Sequence, residues 1–94
     1  MYKCLRITFQ GALPEGFLRD YVQKHAKKLS LEGTAQRISG DDKTVKIIAC
    51  GAKDSVEGFL DVLYKGLAAV ELETMEVEPF LREKDYRGVF RVIE

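Results

Sequence analysis

Along residues 3–9, KCLRITF, the apolar side chains Leu5, Ile7 and Phe9 recur at a period of two, which predicts a strand. From Gly16 to Leu29 the period changes. Leu18, Tyr21, Val22, His25 and Leu29 fall on one helical stripe, with Arg19, Asp20, Lys24, Lys27 and Lys28 mostly outside it. Lysines in the last turn suit the helix dipole, and Gly33 then breaks the chain. Residues 34–39, TAQRIS, and 43–50, KTVKIIAC, read as two strands joined by a hairpin turn at GDDK. Asp54 opens a second helix, where DSVE resembles a capping box with Asp as the cap. Val56, Phe59, Leu60, Leu63 and Leu67 form its apolar stripe, and Gly66 is its expected C-terminal stop. Residues 69–79, AVELETMEVEP, form an acidic strand whose alternation slips between Leu72 and Met75. A bulge or kink is expected near Thr74. Pro79 ends this strand or marks an edge. A polar loop, FLREKDYRG, leads to a short last strand, VFRVIE.

The order is β-α-β-β-α-β plus one terminal strand. It predicts an α+β, ferredoxin-like sandwich: an antiparallel sheet with two helices on one face and a short C-terminal strand, as a single domain over residues 1–94. The first helix is a right-handed crossover, so the two strands it joins run the same way. Their C-terminal ends lie at one edge of the sheet, and the loop at 10–18 is expected to meet the residues near 36–40 there.

Composition narrows the function classes. Fifteen basic and fifteen acidic residues cancel in the 94-residue chain, leaving no global field to attract nucleic acid or an anionic membrane. No apolar run approaches the roughly 20 residues of a membrane helix. The N-terminus, MYKCLRITF, has charges within its apolar stretch and no small-residue cleavage site, so a cytoplasmic location is expected rather than export. Cys4 and Cys50 are too few for a disulfide scaffold and form no CxxC, and reduced thiols are expected. They fall near the same sheet edge on neighbouring strands, where two packed small thiols are the expectation and a redox pair the alternative.

One constellation carries chemistry. It runs Gln10-Gly11, then Gly16-Phe17-Leu18-Arg19, then Lys28-Leu29-Ser30-Leu31-Glu32-Gly33, Thr34-Ala35-Gln36-Arg37, Asp41-Asp42, Gly51 and finally Phe90-Arg91-Val92-Ile93. Over nearly the whole chain this resembles the acylphosphatase family, with the KKLSLEG segment its most specific piece. Members of that family hydrolyse carboxyl–phosphate anhydrides without metal or cofactor. The resemblance implies a small phosphate-containing molecule or another anion as partner, no cofactor, no metal, no nucleic acid and no membrane, and a monomer is expected. It implies that Gly11, Gly16, Phe17, Leu18 and Arg19 form the phosphate cradle, with the Arg19 guanidinium clamping the phosphoryl oxygens. A rigid fork of donors suits oxygens over which phosphoryl transfer spreads its charge.

Two departures set the expected activity. The loop is longer by four residues, ALPE; Pro14 removes a backbone donor and Glu15 adds a negative charge where an anion should sit. By ungapped register, Arg37 occupies the position of the asparagine that orients the attacking water, and the chain contains no Asn. Arginine has no hydrogen-bond acceptor, so it can bind phosphate but cannot take a proton from water. Gln36 has amide chemistry but points to the opposite sheet face. Ser39 shares the face of Arg37 and is the candidate catalytic substitute beside Arg19. Two readings stay open: a hydrolase with weakened or lost activity, and a non-catalytic module that binds phosphate, another anion or a protein. Other signals have plainer readings. His25 reads as a satisfied helix histidine. Glu71, Glu73, Glu76 and Glu78 read as a solvated strand face. The RGVFRV run falls on the wrong strand for an RNA-recognition signature.

Overall fold

A computed structural model describes residues 2–38, 43–68, 70–79 and 87–93. Its strands are β1 (Tyr2–Gly11), β2 (Glu32–Arg37), β3 (Thr44–Ala52), β4 (Leu72–Pro79) and β5 (Phe90–Ile93). Helix α1 is wound as a π-helix over Phe17–Gln23 and continues as an α-helix over Lys24–Lys28. Helix α2 spans Lys53–Leu67. The strands lie in the order β4-β1-β3-β2-β5. Neighbours among β4, β1, β3 and β2 pair antiparallel, and β5 adds to β2 in parallel, so the five-stranded sheet is mixed. This is the expected α+β, ferredoxin-like arrangement.

Strand alternation decides which face the helices cover. Leu5, Ile7 and Phe9 stand beside Val45, Ile47 and Ala49, with Ala35 completing the layer on β2. These residues form one buried cluster with Phe17, Leu18, Val22 and Ala26 of α1 and Val56, Phe59, Leu63 and Leu67 of α2. Polar residues occupy the alternate positions, so the other face carries Arg6, Thr8, Thr34 and Lys46 around a small buried patch of Cys4, Ile48 and Cys50. No helix among the described residues is long and apolar enough to cross a membrane.

The bulge expected near Thr74 is present. β4 pairs with β1 in register up to Thr74 opposite Gln10, then slips so that Leu72 faces Gly11. Several local expectations are corrected. The first helix ends at Leu29 as expected, but the chain turns at Ser30, which adopts a left-handed φ of 57°, rather than at Gly33. There Ser30 N–H donates to Lys27 O (3.1 Å) and Leu31 N–H to Ala26 O (3.0 Å), the two bonds of a Schellman C-cap. Gly33 lies inside β2 at φ 142°, where a Cβ would collide with the Ile48 carbonyl oxygen. Helix α2 begins at Lys53, with Ala52 at its N-cap and no side-chain cap; Asp54 lies in the first turn and acts through the dipole. Gly66 is not a stop but lies within α2, where a Cβ would enter the ring of Tyr21. The π winding also rotates the α1 stripe, burying Phe17 and Ala26 and leaving Tyr21, His25 and Leu29 half-buried.

Cys4 and Cys50 are directly opposed on β1 and β3, and they form a disulfide rather than two reduced thiols (Cα–Cα 4.1 Å). Directly opposed residues on antiparallel strands bring their side chains closest together. A buried carboxylate lies in the same cross-strand row, since Glu32 faces Cys50 from β2. It accepts the Tyr2 hydroxyl and the Gly88 N–H (2.7 Å). Tyr2 must cross β3 to reach it, and the bond to Gly88 fixes the turn that feeds β5.

Candidate anion site at the ends of the first two strands

Crossover topology brings the end of β1 and the end of β2 to one edge. Phe9 faces Val45, and Val45 faces Arg37, so the three share a row across the sheet. Two strand spacings separate Phe9 from Arg37, about 10 Å. Gly11 closes β1 by donating its N–H to Lys43 O (3.0 Å), and a Cβ on it would stand 2.8 Å from the Glu71 carbonyl oxygen. Its role here is close packing at the bulge, with its donor used inside the sheet.

Beyond Gly11 the four-residue segment 12–15 leaves the sheet and returns to α1. Leu13 packs half-buried against the core, while Ala12, Pro14 and Glu15 are exposed. The Pro14 carbonyl accepts the Phe17 N–H (3.2 Å), so that donor is also turned inward. Gly16 caps the helix at φ 79°, a left-handed conformation that costs glycine least. The Phe17 ring is buried and stacks on Tyr21 (centroids 5.2 Å apart), and Leu18 is fully buried. These two side chains anchor the turn. Arg19, next in the chain, is exposed at its start.

Arg37 is half-buried on the helix-side face of β2, the face that α1 covers. Arg19 and Arg37 therefore both belong to this edge, one on the helix start and one on the strand end. Gln36 alternates to the helix-free face opposite Lys46, as expected. Ser39 lies outside the described residues. His25 is a satisfied helix residue: its Nδ1 lies 2.8 Å from Tyr21 O, and its ring packs on Tyr21 (4.5 Å between centroids). A carbonyl only accepts, so Nδ1 carries the proton.

One feature of the turn escaped the sequence reading. Asp20, one turn beyond Gly16, carries its carboxylate back over that glycine: a Cβ on Gly16 would stand 2.7 Å from Asp20 Oδ2. Glu15 and Asp20 are both exposed. The signal was available in the four-residue spacing and the N-terminal lean of helical side chains.

The fold defines an α+β sandwich with a glycine-opened helix and two arginines at one sheet edge. The acylphosphatase family model matches residues 5–92, and the chain belongs to the acylphosphatase family. An acylphosphatase of Coxiella burnetii is 32% identical over 89 residues, covering 95% of this chain and 90% of the relative. One of Dehalococcoides mccartyi is 36% identical over 75 residues, covering 79% and 80%. The structure of an acylphosphatase from Coxiella burnetii superposes with a TM-score of 0.79 at 28% identity, covering 98% of this chain and 93% of that one.

Proposed function

We propose that this chain is an anion-binding member of its family, holding a small phosphate-containing molecule at the edge formed by Arg19 and Arg37, with hydrolysis of carboxyl–phosphate bonds weakened or lost. The observation that carries this reading is the position of Arg37, half-buried at the end of β2 on the helix-covered face. Family membership predicts a water-orienting asparagine at that strand end. A guanidinium there offers five donors and no acceptor, so it attracts an anion but leaves the attacking water without a proton acceptor. Arg19 supplies the second cation, and the turn from Gly16 to Leu18 supplies the positive end of the helix. Gly11 and Phe17 contribute shape, since their N–H groups are bonded to Lys43 O and Pro14 O.

The rival reading is an active hydrolase in which Arg19 holds the phosphoryl oxygens and Ser39 positions the water. Family membership favours it. In either reading the chain works as a single-domain, cytoplasmic monomer without cofactor, metal or nucleic acid. The buried Cys4–Cys50 bond is then held in a reducing compartment.

Hydrolysis of an aryl acyl phosphate by the purified chain separates the two. The expected result is the spontaneous rate for the wild type and a rate raised at least roughly ten-fold by Arg37→Asn, within the range of a positioned acid–base group. Wild-type turnover that Arg19→Ala abolishes would establish the hydrolase instead.

A further inference from the structure

We infer that Cys4 is a site of modification by small thiols: the Cys4–Cys50 bond opens at the Cys4 sulfur, while Glu32 and Tyr2 guard Cys50. The inference is independent of the anion-site reading. It begins from the helix-free face of the sheet, where Cys4, Ile48 and Cys50 form a buried patch separate from the main core. The two cysteines differ in their surroundings. Cys50 is fully buried, whereas Cys4 keeps 8% of its surface exposed. Glu32 is the register partner of Cys50 on β2. Its carboxylate is held by the Tyr2 hydroxyl and the Gly88 N–H, and Tyr2 reaches it from β1, across the strand that carries Cys50. On the other flank β4 ends at Pro79, opposite Leu5, so among the described residues no strand pairs with Cys4 from that side.

Thiol–disulfide exchange is a displacement, and the attacking thiolate comes from behind the sulfur it strikes. Behind Cys50 stands β2 with a held carboxylate; behind Cys4 stands no described strand. The carboxylate also acts at a distance. At about 5 Å, one strand spacing, like-charge repulsion slows a thiolate by about four-fold even at the dielectric of water. A thiol attacks as its thiolate, its sulfur bonds to Cys4, the Cys4–Cys50 bond breaks, and Cys50 leaves as a thiolate that takes up the proton. A second thiol then displaces Cys4 from this mixed disulfide. Two thiols are oxidised to one disulfide, and the protein disulfide is reduced by the same two electrons. Cys50 leaves beside Glu32, so the carboxylate slows this route too, and the bond opens slowly even among thiols.

The test exposes the native full chain to reduced glutathione, quenches with acid, alkylates free thiols and maps the mixed disulfide by mass spectrometry. The expected result is glutathione on Cys4 with Cys50 alkylated, in roughly ten-fold excess over the reverse. Oxidised glutathione should likewise modify Cys4 in Cys50→Ser faster than Cys50 in Cys4→Ser. Glu32→Gln should raise the opening rate by glutathione about four-fold or more, while Glu57→Gln, on exposed α2 surface across the sheet, leaves it unchanged. Urea midpoints verify that each variant is folded in the assay. The gain in Glu32→Gln should be smaller with an uncharged trialkylphosphine, which brings no negative charge to the sulfur. Glutathione on Cys50, an even split, or no mixed disulfide from the native chain would overturn the assignment of Cys4. An unchanged rate in Glu32→Gln, or the same gain with the phosphine, would overturn the guarding charge.

Discussion

Two glycines in the same helix should respond to alanine with opposite signs. Gly58 and Gly66 both lie within α2. A Cβ on Gly58 meets nothing within 4 Å. Gly58→Ala should therefore return the intrinsic helix preference, about 0.8–1 kcal/mol of added stability. Gly66→Ala gains the same preference, but its methyl would enter the Tyr21 ring. That ring cannot swing away cheaply. Its hydroxyl donates to Val62 O at 2.6 Å, and it packs between Phe17 and His25. Losing the hydrogen bond costs about 1 kcal/mol, and disturbing the two ring contacts costs about 0.5–1.5 kcal/mol each. The net expectation for Gly66→Ala is a loss of about 1–3 kcal/mol, in line with overpacking elsewhere. Urea denaturation of the two variants should move the midpoints in opposite directions, and thermal midpoints should follow at about 5 °C per kcal/mol for a chain this size. Adding Tyr21→Ala removes the obstacle, so Gly66→Ala made in that background should become stabilising. If Gly66→Ala stabilises the unaltered chain as much as Gly58→Ala does, the packing of α1 on α2 through Tyr21 is wrong.

Reduction of the Cys4–Cys50 bond should lower stability by roughly 4 kcal/mol through the unfolded chain, from its 46-residue separation; the nine register pairs of β1 with β3 hold the native strands together regardless. Urea midpoints with and without reductant measure it, and coincident curves would refute it. Ser30→Gly should stabilise by about 1 kcal/mol, because only glycine adopts the left-handed cap without penalty; an unchanged or lower midpoint would deny that C-cap. Glu32→Ala should cost about 1–3 kcal/mol, since it removes the acceptors of both the Tyr2 hydroxyl and the Gly88 N–H. Loss of amide-exchange protection in β5 beyond that in the rest of the sheet would accompany it.

Periodicity alone was sufficient for the element order, the two faces of the sheet and the slip near Thr74, because a period of two or of 3.6 is a local property of which side chains must be buried. The crossover rule then placed the ends of β1 and β2 at one edge before any coordinates, whereas the row from Phe9 through Val45 to Arg37 is set by the strand register. Tertiary structure decided what the glycines do. Gly33 and Gly66 read as breakers, but one admits the Ile48 carbonyl and the other the Tyr21 ring, and only distant neighbours in the sequence reveal that. The same holds for the break at Ser30, for the disulfide and for Glu32, whose partners Tyr2 and Gly88 lie 30 and 56 residues away. The site divides similarly. Arg19 and Arg37 were singled out from spacing and family pattern, whereas the place of the Asp20 carboxylate beside Gly16 required the helix to be built. A side chain's charge is written in the sequence; the group it lies over is set by the packing that aims it.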